Sequence, residues 1–297
     1  MQHPRQINFA EAARLDAVQM EGTTLKHCGD QLSHFQSNCR LMMSVITAPP
    51  FMTVTPMQWG RACTKAARET FGEEVDFEIS LQEAIPEKTK MFERLSHEHM
   101  AEIVGTDIVP DGETNAFNSK MVHVAKNMDQ LLSGFHPDIA EMFENLLKAL
   151  TIQAWASYEA MTKELWKSIC HSTNTSFARP TRQEWSDKKL GFDSRNKIRD
   201  TYTFGFRKNP EILGHLDRQQ IDPLALLRNL LVHHGGRVDR IFKKDAFYHP
   251  SVETFATLPE GTLVHFDGPV VISVIQPAID AGYKLIAAVD EWIERNP

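Results

Sequence analysis

The chain has 297 residues, is 42% hydrophobic and carries a net charge of −7, which provides enough apolar content for a real core and excludes disorder as the main theme. No window approaches 18 uninterrupted apolar residues, and the N-terminus, MQHPRQINFAEAARLD, has no apolar segment of signal-peptide type, so a soluble, cytoplasmic protein with no membrane partner is expected. The four cysteines, Cys28, Cys39, Cys63 and Cys170, form no CxxC pair; they suggest neither a zinc ribbon nor a disulfide framework and suit a reducing compartment.

Residues 9–45 place Phe9, Leu25, Leu32, Phe35, Cys39 and Met42 at mostly helical steps, with Gly22 and Gly29 as weak points and Pro49 and Pro50 as the expected end. Two further amphipathic helices are expected at 57–71 and 86–104, separated by the acidic, strand-like EEVDFEISLQEAIP. The stretch GTDIVPDGETNAFN at 105–118 is dense in Gly, Pro, Asp and Asn and marks the expected boundary between a helical N-terminal region, 1–118, and a helical domain, 119–297.

The longest helical pattern covers 137–170, with a break expected near the β-branched Thr151 and Ile152. Shorter helices are expected around 193–203 and 209–217. In IDPLALLRNLLVHHGGRVD, residues 221–239, Asp222 suits an N-cap, Pro223 a first helical position and Gly235 a left-handed stop. Leu224, Leu227, Leu230 and Leu231 would face a core, which makes Arg228 expensive unless it is paired or borders a cleft. The segment TLVHFDGPVVISV reads as two β-prone runs turning at Asp267-Gly268, a small hairpin. A final amphipathic helix runs from about Ile279 to Ile293. The fold class is therefore mostly α with one small β element.

Familiar catalytic motifs are missing from the sequence. His97 and His99 in SHEHMAEI point to different helix faces and HExxH is absent, so no metal is expected; GxGxxG, GxxxxGK[ST] and GxSxG are absent as well. Charge is uneven: residues 181–244 carry 14 Lys and Arg against 8 Asp and Glu, the clearly basic part of an acidic chain. Within it, Arg228 and His233 stand five residues apart, roughly 7–8 Å along a helix axis. They could flank one phosphate, with Arg228 neutralising charge on the phosphoryl oxygens and His233 moving a proton. Spacing alone is better met by the plainer reading, in which Arg and His near a helix C-terminus satisfy its last carbonyls.

The residues RNLLVHHGGRVD resemble the signature of the HEPN superfamily, an Arg commonly followed by Asn, with four to six residues intervening between the Arg and a His, often leading into a glycine turn. The stretch AWASYEAMTKELW, 154–166, is similar to the long early helix of such domains, with Glu159 as the acidic residue near the Arg. The resemblance implies an all-α, up-and-down HEPN-like bundle that forms a homodimer, with the two motifs meeting in a shared cleft. It further implies a metal-independent, cofactor-free endoribonuclease that leaves 2′,3′-cyclic phosphate and 5′-hydroxyl ends, of the kind found in toxin–antitoxin and abortive-infection systems, where an antitoxin or inhibitor partner is common. On that basis Arg228 stabilises the phosphate, His233 transfers the proton and Asn229 orients them. His234 also satisfies the allowed spacing. RNA phosphates would be met by Lys188, Lys189, Arg195, Lys197, Arg199, Arg207, Lys208 and Arg237. Other HEPN proteins have lost catalysis and act as RNA- or protein-binding modules.

Overall fold

The computed structural model describes residues 8–12, 14–72, 86–104, 137–171 and 176–296. Eleven helices order these residues: α1 (Phe9–Ala12), α2 (Gly29–Phe71), α3 (Pro86–Val104), α4 (Pro137–His171), α5 (Arg182–Asp187), α6 (Arg195–Gly205), α7 (Pro210–Gly214), α8 (Arg218–His234), α9 (Arg240–Ala246), α10 (Glu253–Ala256) and α11 (Gly268–Arg295). The mostly α class is therefore observed. Both the strand-like stretch at 73–85 and the expected boundary at 105–118 lie outside the described residues.

Contacts divide the chain into two compact units, Met1–Ile46 with Asp129–Pro297, and Thr47–Met128. The N-terminal segment thus belongs with the C-terminal helices rather than to a separate region ending at 118. Its anchors are specific. Phe9 meets Phe143 edge-on at 4.8 Å, and the Tyr283 hydroxyl donates to the Ala17 carbonyl at 3.0 Å. The buried Asp290 carboxylate accepts the backbone N–H groups of His27 and Cys28 at 2.6 and 2.7 Å. Gly268 allows the close approach of α1: a Cβ there would run into the Asn8 carbonyl. The division falls at Ile46, three residues before Pro49 and Pro50. These prolines were expected to end a helix, yet the helical backbone of α2 continues through them. Lacking N–H groups, they leave the carbonyls of Val45 and Ile46 without their usual donors, a weak point in an unbroken helix.

In the larger unit α4, α8 and α11 pack against one another, and α1 lies on α4 and α11. α4 runs without the break expected at Thr151, whose buried hydroxyl bonds back to the Leu147 carbonyl at 3.0 Å while tertiary packing holds the helix continuous. α11 also replaces the expected hairpin. Asp267 is its N-cap, accepting from Val270 N–H at 2.9 Å, and Pro269 sits in its first turn, so the Asp-Gly pair that resembles a hairpin turn is a helix start. Val271, Val274 and Ile275 are fully buried, so packing of that face outweighs the β preference of branched side chains. Among the described residues the only β element is one antiparallel bridge, Arg237 to Leu263. By length and mean hydropathy, 1.4, α11 could cross a membrane; 56% of its most apolar window is buried against the other helices.

An aromatic cluster holds α6 to α4 and α11. Trp166, Phe177, Tyr202, Phe206 and Trp292 meet at centroid distances of 4.7 to 6.3 Å, edge-on or tilted except for the stacked Tyr202–Phe206 pair, and the Tyr202 hydroxyl donates to the Thr162 carbonyl at 2.8 Å. Gly205 touches this cluster so closely that a Cβ would lie under 3.0 Å from Trp166 and Phe177 ring atoms, both buried. Gly205→Ala is expected to destabilise the protein by about 1–3 kcal/mol, read as a lower urea midpoint with unchanged slope.

Candidate active site

α8 begins at Arg218, not Pro223. Asp217 caps it, accepting from Gln219 N–H at 2.7 Å, and Pro223 falls inside the helix. Asp222, read from sequence as the cap, is instead 4% exposed and ion-paired with Arg195 at 3.1 Å. Leu224, Leu227 and Leu230 face the core as expected, with Leu231 only half-buried. The helix ends as the glycines suggest: Gly235 and Gly236 have φ of +57° and +77°, and Gly236 N–H bonds the Leu230 carbonyl at 3.0 Å, a six-residue closure that only glycine permits without strain.

This rigid end positions the candidate residues. Arg228 is half-buried; Asn229, His233 and His234 are exposed. Arg228 Nη1 donates to Asn229 Oδ1 at 2.9 Å and stands 3.5 Å from His233 Nε2. A guanidinium can only donate, so Nε2 is the accepting atom in this contact. The second imidazole is committed elsewhere. His234 Nε2 lies 3.0 Å from Asp239 Oδ2, while Asp239 Oδ1 accepts from Phe242 N–H at 2.6 Å as the N-cap of α9. The sequence allows either histidine; the geometry brings His233 to Arg228 and ties His234 to Asp239. Among the described residues no hydrogen bond or ion pair joins the Glu159 carboxylate to Arg228 or His233.

The eight expected phosphate contacts separate into two groups. Lys188, Arg207 and Lys208 line an open cleft of about 540 Å³, with Lys188 4.1 Å above the Phe204 ring and in a looser 3.6 Å pair with Glu184, and Lys189 is exposed next to Lys188 in the chain. The others are engaged in structure. Arg199 donates to the Leu216 carbonyl at 2.7 Å, Arg237 to the Gly261 carbonyl at 3.0 Å, and Lys197 pairs with Asp193 at 2.8 Å. Arg195 is the clearest departure, bridging Asp222 and, at 3.3 Å, Asp245. Its position next to two carboxylates makes it a tie between α6, α8 and α9, not a surface phosphate contact.

Sequence reasoning did not find His249, 6% exposed, whose Nε2 stands 3.7 Å from Asp222 Oδ2 and whose Nδ1 is 3.3 Å from Gln219 Oε1. Nothing in the local pattern signals a burial that depends on tertiary packing. Burial pushes the His249 imidazole below its ordinary value, partly offset by Asp222, and pushes the Asp222 carboxyl up against the pull of Arg195 and His249. Since the folded state resists protonating His249, its contribution to stability is full above about pH 6.5 and is lost as pH falls through the depressed folded value. Asp222 acts in the opposite direction. Between pH 7 and pH 5 the wild-type thermal midpoint should therefore fall more steeply than that of His249→Gln, measured by circular dichroism melts.

Among the described residues no group of three His, Cys, Asp or Glu side chains is arranged to hold a metal ion. The chain matches no family model, and no curated protein or solved structure is similar to it at a significant level.

Proposed function

We propose that the protein is a metal-independent endoribonuclease of HEPN type, acting in the cytoplasm as a homodimer in defence or stress response. The observation that carries this reading is the contact of Arg228 with both Asn229 and His233 at the exposed, glycine-locked end of α8. His233 Nε2 would take the proton from a ribose 2′-hydroxyl as that oxygen attacks the adjacent phosphorus. The P–O5′ bond breaks, the 5′-oxygen takes up a proton, and a 2′,3′-cyclic phosphate is left. Arg228 would bind the two non-bridging oxygens as negative charge gathers on them, and Asn229 would fix the guanidinium. One chain supplies one imidazole at this place, so the second proton transfer would fall to His233 of a second copy facing the same phosphate. The basic cleft of Lys188, Arg207 and Lys208 would hold a neighbouring part of the RNA strand through its phosphates.

The test is incubation of the purified full chain with RNA in EDTA, alongside Arg228→Ala. Cleavage by the wild type alone supports the reading. Salt-sensitive binding with no cleavage by either would replace it with a non-catalytic RNA-binding module.

A further inference from the structure

A cleft of about 240 Å³ adjoins the Arg228–His233 pair and shares Asn229 with it: Asn229 is among the residues lining the cleft, and its Oδ1 holds Arg228. It opens between the start of α6, the second half of α8 and α9, with Leu226, Ile241 and Phe242 as apolar walls and Asp193, Arg195 and Asp245 among its polar groups. The volume lies below the roughly 300–1,000 Å³ of sites for drug-sized ligands and suits a single flat heterocycle.

The charges sort what can enter. Asp193 is paired with Lys197, but the cleft still sets Asp239 and Asp245 against one guanidinium, Arg195, so a phosphate is better met at Arg228 and the uncharged part of a nucleotide is what remains for the cleft. Asp239 is fully used by His234 and the Phe242 amide. Asp245 spends one lone pair of Oδ2 on Arg195, which leaves its two oxygens able to accept a pair of adjacent donors beside the guanidinium. Guanine fits this pattern best among the four RNA bases. Its N1–H and N2–H are adjacent donors for a carboxylate, and O6 beside them is an acceptor for Arg195. Adenine and cytosine place a ring acceptor where a carboxylate would repel it, and uracil offers a single N–H.

We propose that this cleft is a base-recognition subsite that selects a guanine next to the phosphate held by Arg228 and His233. The proposal rests on the ribonuclease reading for its biological meaning, but its test does not require cleavage. The full chain is titrated calorimetrically with the 3′-monophosphates of guanosine, adenosine, cytidine and uridine. Guanosine 3′-monophosphate is expected to bind about tenfold more tightly than the others. Ile241 is 72% exposed, so Ile241→Trp can crowd the cleft without disturbing the core; Asp245→Asn keeps an oxygen for Arg195 while placing an amide against the guanine donors. Each is expected to erase the guanosine preference, with unchanged circular dichroism showing that the chain still folds. Arg228→Ala is expected to weaken all four nucleotides alike and to preserve their order. Equal affinities, selection of another base, a preference that survives both cleft variants, or no binding of any nucleotide at millimolar concentration overturns the proposal. A guanosine preference in a chain that never cleaves RNA leaves the subsite standing and removes the ribonuclease reading.

Discussion

Arg228→Ala and His233→Ala should each lower RNA cleavage in EDTA by about 10²–10⁴-fold, whereas His234→Ala should retain activity within a few-fold of wild type. The contrast follows from which imidazole faces the guanidinium. His233 Nε2 is 3.5 Å from Arg228, while His234 is drawn to Asp239 at 3.0 Å. The His234–Asp239 pair is partly solvent-exposed and screened, so losing it costs about 1 kcal/mol. Thermal midpoints should change little in all three variants, because none of these side chains holds the core. A large loss of stability in Arg228→Ala, with cleavage unaffected in the folded fraction, would show that Arg228 serves the fold. Gel-resolved cleavage of a labelled RNA, with melts on the same preparations, distinguishes these outcomes.

Arg195→Ala should behave in the opposite way. It strands Asp222, 4% exposed, and removes the link from α6 to α8 and α9. Breaking such a buried pair costs about 3 kcal/mol, which for a unit of this size lowers the melting midpoint by roughly 6–12 °C. Lys208→Ala, at the open basic cleft, should leave the midpoint unchanged and weaken RNA binding, reducing the salt dependence by about one phosphate contact. Fluorescence anisotropy across a salt series, together with melts, checks both.

The helices were legible where local pattern and packing agree. The leucine spacing and the two glycines of residues 224–236 specify the core face and the stop of α8, and the polar end they hold is the candidate site. Its beginning was misread because Asp222-Pro223 has the composition of a helix start. The actual cap, Asp217, lies one and a half turns earlier, and the burial of Asp222 depends on Arg195, 27 residues away. Asp267-Gly268 misled for a related reason, since the same dipeptide serves a tight turn or a cap, and burial of Val271, Val274 and Ile275 decides for the helix. The run of basic residues at 181–244 was visible as a charge count. A count, however, does not distinguish Arg207 and Lys208 at an open cleft from Arg195, Arg199 and Arg237, which hold parts of the chain together. The choice between His233 and His234 was likewise open in sequence, because it turns on Asp239, which reaches His234 only after the chain reverses at Gly235 and Gly236.

The central claim is transesterification by the 2′-hydroxyl at Arg228 and His233. It is tested most directly with an oligoribonucleotide that the wild type cuts at a mapped position in EDTA, compared with the same oligonucleotide carrying a single 2′-deoxynucleotide on the 5′ side of that bond. The account predicts a 2′,3′-cyclic phosphate end on the first, and loss of cleavage at that position on the second. Undiminished cleavage of the deoxy-substituted bond, or no cleavage of either oligonucleotide by the folded wild type, would contradict it.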